Sequence, residues 1–339
     1  MAPAKKLYLH IGLHKTGTSA IQHALFHARE ALAAKGVLYP KSVAWLDHSH
    51  HSLLLPFWRK EAFDEPFEQL SAEINASPCS TVLISSELFP NIYTQGDRFT
   101  RLWQMVSTLA EEIEVILYVR RQDRLAASVF KQWCKSDDVK LAVSPADFIS
   151  DDLRINMNIE KYCVVWSELP GVTALHMRSY DHERKNLVSG FLDILGLPRD
   201  IVSGLENVRA NPTMDGEQLI FRHYFNGFDL DQDTSNALLS YILGHLSPKP
   251  RLEVFSRDMR KALMERHAKT NNIAFEKHGA KCPPFDDQFE ESGHVFRKPS
   301  TPEVLDFFMK LSHVDIRLAA HLFDQVMAAG TAMRNGEGK

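Results

Sequence analysis

Glycine, lysine and hydroxyl residues converge on one stretch near the start of the chain, Leu9-His-Ile-Gly-Leu-His-Lys-Thr-Gly-Thr-Ser19. An apolar run from Leu7 to Ile11 breaks at Gly12, and a helical pattern opens after Gly17, Thr18 and Ser19. A strand that ends in a glycine-punctuated loop and opens a helix offers its backbone N–H groups to an anion. The partial positive charge of the helix N-terminus stands behind them. The loop is therefore a candidate grip for a phosphate-like group. It departs from the nucleotide-triphosphatase pattern, Gly-x4-Gly-Lys-Ser/Thr. Gly12, Gly17 and Ser19 fit that pattern, but Thr18 stands in the lysine's place and the lysine has moved back to Lys15. Lys15 would reach the anion from within the loop. No apolar strand ends in an acidic pair suited to holding Mg2+ against phosphates, which disfavours a metal-assisted ATPase.

Three further groups of residues have chemistry to offer. Arg120 leaves the end of an apolar run, and Ser128 follows eight residues later. A guanidinium at a strand end can give two parallel hydrogen bonds to a second phosphate, and a nearby hydroxyl can add a donor. Alternatively, Arg120, Arg121 and Arg124 form only a solvated basic turn. Glu87 follows the apolar run Thr81–Ser85 and is a candidate base; it is otherwise a capping or salt-bridging glutamate. His48, His50 and His51 crowd one polar segment, and His51 is a second candidate base. A polar surface loop is the plain alternative, and no other ligand group has the spacing of a metal site. His14, inside the anion loop, suits packing or acceptor contact. Trp45, Phe57, Trp58 and Trp133 are suited to stacking on a sugar or a base, or to ordinary core packing.

The elements that must position these groups follow from the hydrophobic pattern. Leu7–Ile11, Val37–Tyr39, Thr81–Ser85, Ile113–Val119 and Val172–Met177 are expected as strands. Helices are expected over about 19–35, 99–112, 123–135 and 183–195, with another starting at Ser144-Pro145. Continuous apolar strands separated by helices imply a parallel sheet covered on both faces. Ligands bind beyond the carboxyl ends of such strands. The segments 12–19, 85–89 and 120–128 should then meet along one edge. Beyond residue 205 the pattern turns helical, near 214–227, 234–246, 256–269 and 302–329. Residues 277–299 are irregular, either a lid or a surface connection, and 335–339 look disordered.

The whole chain sets outer bounds. Its 339 residues carry 44% hydrophobic and 24% charged side chains and a net charge of −4. That is ordinary for a globular protein and gives no bulk reason to expect nucleic-acid binding. Four scattered cysteines lack zinc-site spacing and suggest no disulfide framework. No signal peptide and no run of membrane-spanning length is evident, so a cytoplasmic location is expected.

The lysine-bearing loop and the Arg120…Ser128 pair together resemble the sulfotransferases that use 3′-phosphoadenosine 5′-phosphosulfate (PAPS). The loop flavour is similar to bacterial members. The resemblance extends to Met177-Arg-Ser-Tyr-Asp181 and Phe191-Leu-Asp-Ile-Leu-Gly-Leu197, and it covers roughly residues 5–200. It implies one sulfotransferase domain with a P-loop-type parallel sheet over 5–204 and a helical C-terminal portion over 205–334. It implies that His14, Lys15, Thr16, Gly17, Thr18 and Ser19 hold the 5′-phosphosulfate. Arg120 and Ser128 would hold the 3′-phosphate, and Tyr180 would lie near the adenine. Lys15 and Glu87 or His51 would act in catalysis without a metal ion. The acceptor would be a hydroxyl of a glycan, a glycolipid or a small molecule, and the product nucleotide adenosine 3′,5′-bisphosphate (PAP). Asn207–Pro212 and Phe296-Arg-Lys298 would add late basic contacts, although Pro299 replaces the usual glycine. The rival readings are an ATP-dependent small-molecule kinase and a non-catalytic nucleotide-binding module.

Overall fold

A computed structural model describes residues 4–150, 155–205, 214–289 and 293–334. In chain order, the first elements are β1 (Ala4–His10), α1 (Thr18–His27), α2 (Arg29–Ala33), β2 (Val37–Leu38), α3 (Leu55–Trp58), α4 (Asp64–Ala76) and β3 (Thr81–Ser85). Next come α5 (Asp97–Ser107), β4 (Ala110–Val119), α6 (Gln122–Lys135), α7 (Pro145–Ser150), α8 (Ile159–Ser167) and β5 (Val172–Ser179). The chain continues through α9 (Tyr180–Glu183), α10 (Leu187–Ile194), α11 (Gly216–Phe225) and α12 (Gln232–His245). It closes with α13 (Arg257–His278), α14 (Thr301–Val314) and α15 (Ile316–Arg334).

The five strands are all parallel, in the order β2-β3-β1-β4-β5. Along β1 and just beyond it, Leu7, Leu9 and Ile11 enter one apolar cluster, with Phe67 and Leu70 of α4, Leu102 and Val106 of α5 and Tyr162 and Trp166 of α8. The alternate residue Tyr8 enters the other, with Ile21 and Leu25 of α1 and Phe191 and Leu192 of α10. Successive side chains of a strand point to opposite faces. The split shows that helices cover both faces, which is why these strands read as unbroken apolar runs.

The strand order also fixes where a ligand can sit. From β1 the chain moves first toward β2 and β3, then crosses to β4 on the other side of β1. The crevice where strand order reverses lies outside the carboxyl end of β1. His10 is in register with Ser85 of β3 and Ile116 of β4, and Val119 with Ser179 of β5. The segments after β1, β3, β4 and β5 therefore all leave at one edge of the sheet, as the sequence implies.

Several boundaries differ from expectation. The first helix divides at Ala28, whose backbone φ of −89° and ψ of 5° interrupts the helical ladder. α5 ends at Ser107, because Ala110 is already paired with Ala4 in the sheet. The helix expected over 183–195 starts later, as α10, and the separate short turn α9 ends at Glu183. The last helix divides at Asp315, whose carboxylate caps the new start through Arg317 and Leu318 N–H. Ser144 does cap α7, accepting from Asp147 N–H at 3.1 Å.

The chain forms two compact units that cut across its sequence. The first takes 1–122, 157–211 and 266–286 and holds the whole sheet; the second takes 123–156, 212–265 and 287–339. The second has its own apolar core, in which Phe221, Phe225, Leu238, Phe307 and Leu311 are buried. Part of the irregular segment is packed into the first unit. Cys282 is buried in that unit's core, Phe285 lies against it, and buried Arg121 holds Asp286. Residues 207–212 and 335–339 lie outside the described residues.

Candidate functional site

The loop after β1 has the shape an anion cradle needs. Lys15 and Gly17 both have left-handed backbone, with φ of 67° and 78°. Gly17 caps α1 without a side-chain hydrogen bond, and the first turn of α1 carries no acidic residue. The first N–H groups of any helix lack intrahelical acceptors, and nothing acidic here competes for them. Thr16 braces the loop through its hydroxyl, which donates to Leu13 O at 2.6 Å. Thr18 is buried, and its Oγ1 has no hydrogen-bond partner within the protein. A Cβ at Gly12 would lie 2.8 Å from that oxygen and 2.9 Å from His10 Nε2, so only glycine fits between them. Ser19 is exposed on the first turn.

Arg120 meets this loop directly. Its Nη1 donates to the Lys15 carbonyl at 2.9 Å, and its Nε lies 3.9 Å from Asp181 Oδ1. Its guanidinium carbon stands 5.0 Å from the centre of the Tyr180 ring, in cation–π range. Tyr180 in turn sits against Gly17: a Cβ there would come within 2.9 Å of the ring edge. Asp181 also accepts from Arg121 N–H at 2.9 Å, which ties the ends of β4 and β5 together. Lys15, Gly17, Arg120 and Tyr180 are thus one cluster, drawn from three strand ends. Ser128 is half-buried on the part of α6 that belongs to the second unit.

A second cluster adjoins the start of α1. Glu87, after β3, accepts from Gln22 Nε2 at 3.1 Å. His51 Nε2 lies 3.8 Å from Glu87 Oε1 and 3.6 Å from Asp47 Oδ2, so the imidazole stands between two carboxylates. Its Nδ1 is 2.7 Å from Ser86 Oγ, and that oxygen accepts from Leu88 N–H at 3.2 Å. His14 is exposed above the loop. Desolvation lowers its pKa, Glu87 opposes that, and the charges of His51 and Lys15 add to it.

Below these groups lies a layer the sequence reading missed. Buried His10 contacts Ser85 Oγ through Nδ1 at 2.8 Å, and its Nε2 has no partner within the protein. Burial drives its pKa down to about 3, so it is neutral at pH 7. Gln22 Nε2 also reaches Ser85 Oγ at 3.2 Å. The signal for Gln22 was present: a glutamine inside the buried stripe of α1. His50 has a structural task. It accepts Ser85 N–H at Nδ1 (2.9 Å) and meets Pro40 O through Nε2 (2.9 Å), which fixes one neutral tautomer; burial takes its pKa down to about 4.

Other expected contacts are used elsewhere. Arg297 forks onto Glu303 in the capping box of α14. Phe57 is in the core, Trp58 Nε1 donates to Leu88 O at 3.2 Å, and Trp45 is 41% exposed. Among the described residues, no helix is long and apolar enough to cross a membrane.

No protein-family model matches the chain, and no curated protein matches it. Among solved structures, it is similar to mouse sulfotransferase SULT7A1 complexed with PAP. The two are 11% identical with a TM-score of 0.33, over 83% of this chain and 86% of that one. That likeness is remote, and the fold stands on the strand order and loop geometry given above.

Proposed function

We propose that the carboxyl edge of the sheet binds PAPS and moves its sulfuryl group to an acceptor hydroxyl. The observation that carries this reading is the junction of the two anion grips, the Arg120 guanidinium against the Lys15 carbonyl. One nucleotide can bridge groups held that close. The uncapped start of α1 and the buried, unpartnered Thr18 hydroxyl fit an anionic ligand.

When bound, PAPS supplies an activated sulfuryl group and leaves as PAP. The chain's part is to position and to neutralise. Gly17, Thr18 and Ser19 hold the 5′-phosphate through N–H and hydroxyl donors. Lys15 offsets the negative charge that grows on the departing phosphate oxygen. Arg120 takes the 3′-phosphate and Tyr180 lies against the adenine. Ser128 enters this reading through its spacing from Arg120 alone. Glu87, oriented by Gln22, or His51, oriented by Ser86, takes the proton of the acceptor hydroxyl as the new O–S bond forms. Such charge compensation needs no metal ion. A glycan or glycolipid acceptor and a cytoplasmic setting belong to the same proposal.

Calorimetric titration tests the donor. PAP should bind with or without Mg2+, and more tightly than ADP. A preference for Mg-ADP would instead favour an ATP-dependent kinase. Transfer of labelled sulfate from PAPS to a panel of sugar hydroxyls then separates an enzyme from a nucleotide-binding module.

A further inference from the structure

Three histidines outside the cluster just described converge on the protein surface. His23 and His27 stand one turn apart on α1, and His48 comes from the turn that precedes His51. One nitrogen from each lies within 4.8 Å of the other two. We propose that His23, His27 and His48 bind a divalent transition-metal ion, with Zn2+ as the reference ion and water in the remaining position.

The chemistry of the donors fits. Three imidazoles suit Zn2+, Cu2+ and Ni2+ and are poor ligands for Mg2+ or Ca2+. Zinc–nitrogen bonds of about 2.0–2.1 Å in a tetrahedral site put ligand nitrogens roughly 3.3 Å apart. Binding would draw the three nitrogens, now within 4.8 Å of one another, to that spacing. His27 Nδ1 lies 2.8 Å from His23 O. A carbonyl can only accept, so Nδ1 carries the proton and Nε2 presents a lone pair, the orienting bond that metal-binding histidines commonly make. His23 Nδ1 is buried and has no hydrogen-bond partner within the protein, as expected of an atom whose partner is an ion.

The third ligand is held in place by its own turn. His48 has a φ of 70°, in the left-handed region that a non-glycine residue enters at a cost. The turn is closed by Trp45 N–H to Ser49 O (2.7 Å) and His48 N–H to Trp45 O (2.9 Å), and Tyr39 OH donates to His48 O at 2.8 Å. The His48 ring stacks on Phe26, with centroids 4.4 Å apart. The constraint aims the imidazole back at α1. A bound ion would join α1, whose first turn is the anion loop, to the turn that leads into His51.

The test uses the full chain without a histidine tag, stripped with chelator and titrated with Zn2+ by calorimetry. Co2+ serves as a spectroscopic probe of the same site. We expect one ion per chain, visible d–d absorption from Co2+, and a higher unfolding temperature with metal. His27→Ala and His48→Asn should each weaken binding at least tenfold; asparagine tolerates the left-handed backbone. Both variants should match the parent in circular dichroism without metal. Absence of stoichiometric binding would overturn the proposal. So would binding unchanged in both variants, because the ion would then reside on other histidines. If one variant misfolds, the other, together with His23→Ala, decides by the same criterion.

Discussion

Two sets of buried polar groups, one in each unit, differ in how they are partnered. In the second unit, buried Lys131 pairs with Asp215, whose other oxygen takes Leu252 N–H at 2.8 Å. Arg222 is likewise enclosed by Asp137, the Ser235 hydroxyl and the Cys134 carbonyl. These groups answer one another and hold loops to helices. Below the loop of the first unit, His10 Nε2, Thr18 Oγ1 and Gln22 Oε1 are buried with no partner within the protein. Leaving buried polar atoms unpaired costs stability. On the function proposed above, a bound anion is what would answer the atoms nearest this loop.

The largest effect should fall on the closed set. Asp215→Ala leaves the Lys131 ammonium buried without its counter-charge, and a broken buried pair typically costs about 3–5 kcal/mol. Urea unfolding of the full chain should show that loss. Lys15→Ala comes next, on the other side of the contrast. Removing one charge-stabilising contact costs other enzymes about 3–4 kcal/mol of barrier. Turnover should therefore fall by about a hundredfold or more, with a smaller loss of PAP affinity. Equal turnover would remove Lys15 from the mechanism.

The buried imidazoles give a pH signature. His10 and His50 titrate near 3 and 4 in the fold, below the ordinary histidine value of 6.5. The unfolded chain therefore binds more protons between those values, and stability rises with pH there. Lowering the pH from 6.5 to 5 should cost about 1.5 kcal/mol for each of these two histidines. His50→Gln should flatten part of that slope in unfolding curves taken across the range.

The smallest change sharpens the comparison most. Thr18→Val replaces the unpartnered hydroxyl with a methyl of the same shape. Stability should stay within about 0.5 kcal/mol, since no internal hydrogen bond is lost. PAP affinity should drop by about tenfold, the value of one bond to a charged group. A variant that unfolds as readily as Asp215→Ala would erase the distinction between the two regions.

The parallel sheet and the loop were legible because their signals are local. Leu7, Leu9 and Ile11 mark a strand buried on both faces, and Gly12 with Gly17 marks the turn that ends it. The approach of Arg120 to Lys15 followed from the rule that such strands expose their carboxyl ends together. What escaped was set by contacts between distant segments. Gln22 gains meaning only when Ser85 and Glu87 stand beside it. His23 and His27, one turn apart on α1, gain a third member, His48, only through a turn whose left-handed backbone has no sequence signature. The division into two units escaped for the same reason, since 123–156 join the later helices through pairs such as Arg222–Asp137.

The bond from Arg120 to the Lys15 carbonyl has a kinetic consequence. If the loop binds a nucleotide as proposed, the guanidinium already ties its backbone to the end of β4 without one. The entropy of ordering that turn is spent during folding, so little rearrangement is left for the encounter. Capture should then proceed near the rate set by diffusion and orientation, and removal of the tie would slow arrival as well as hasten escape.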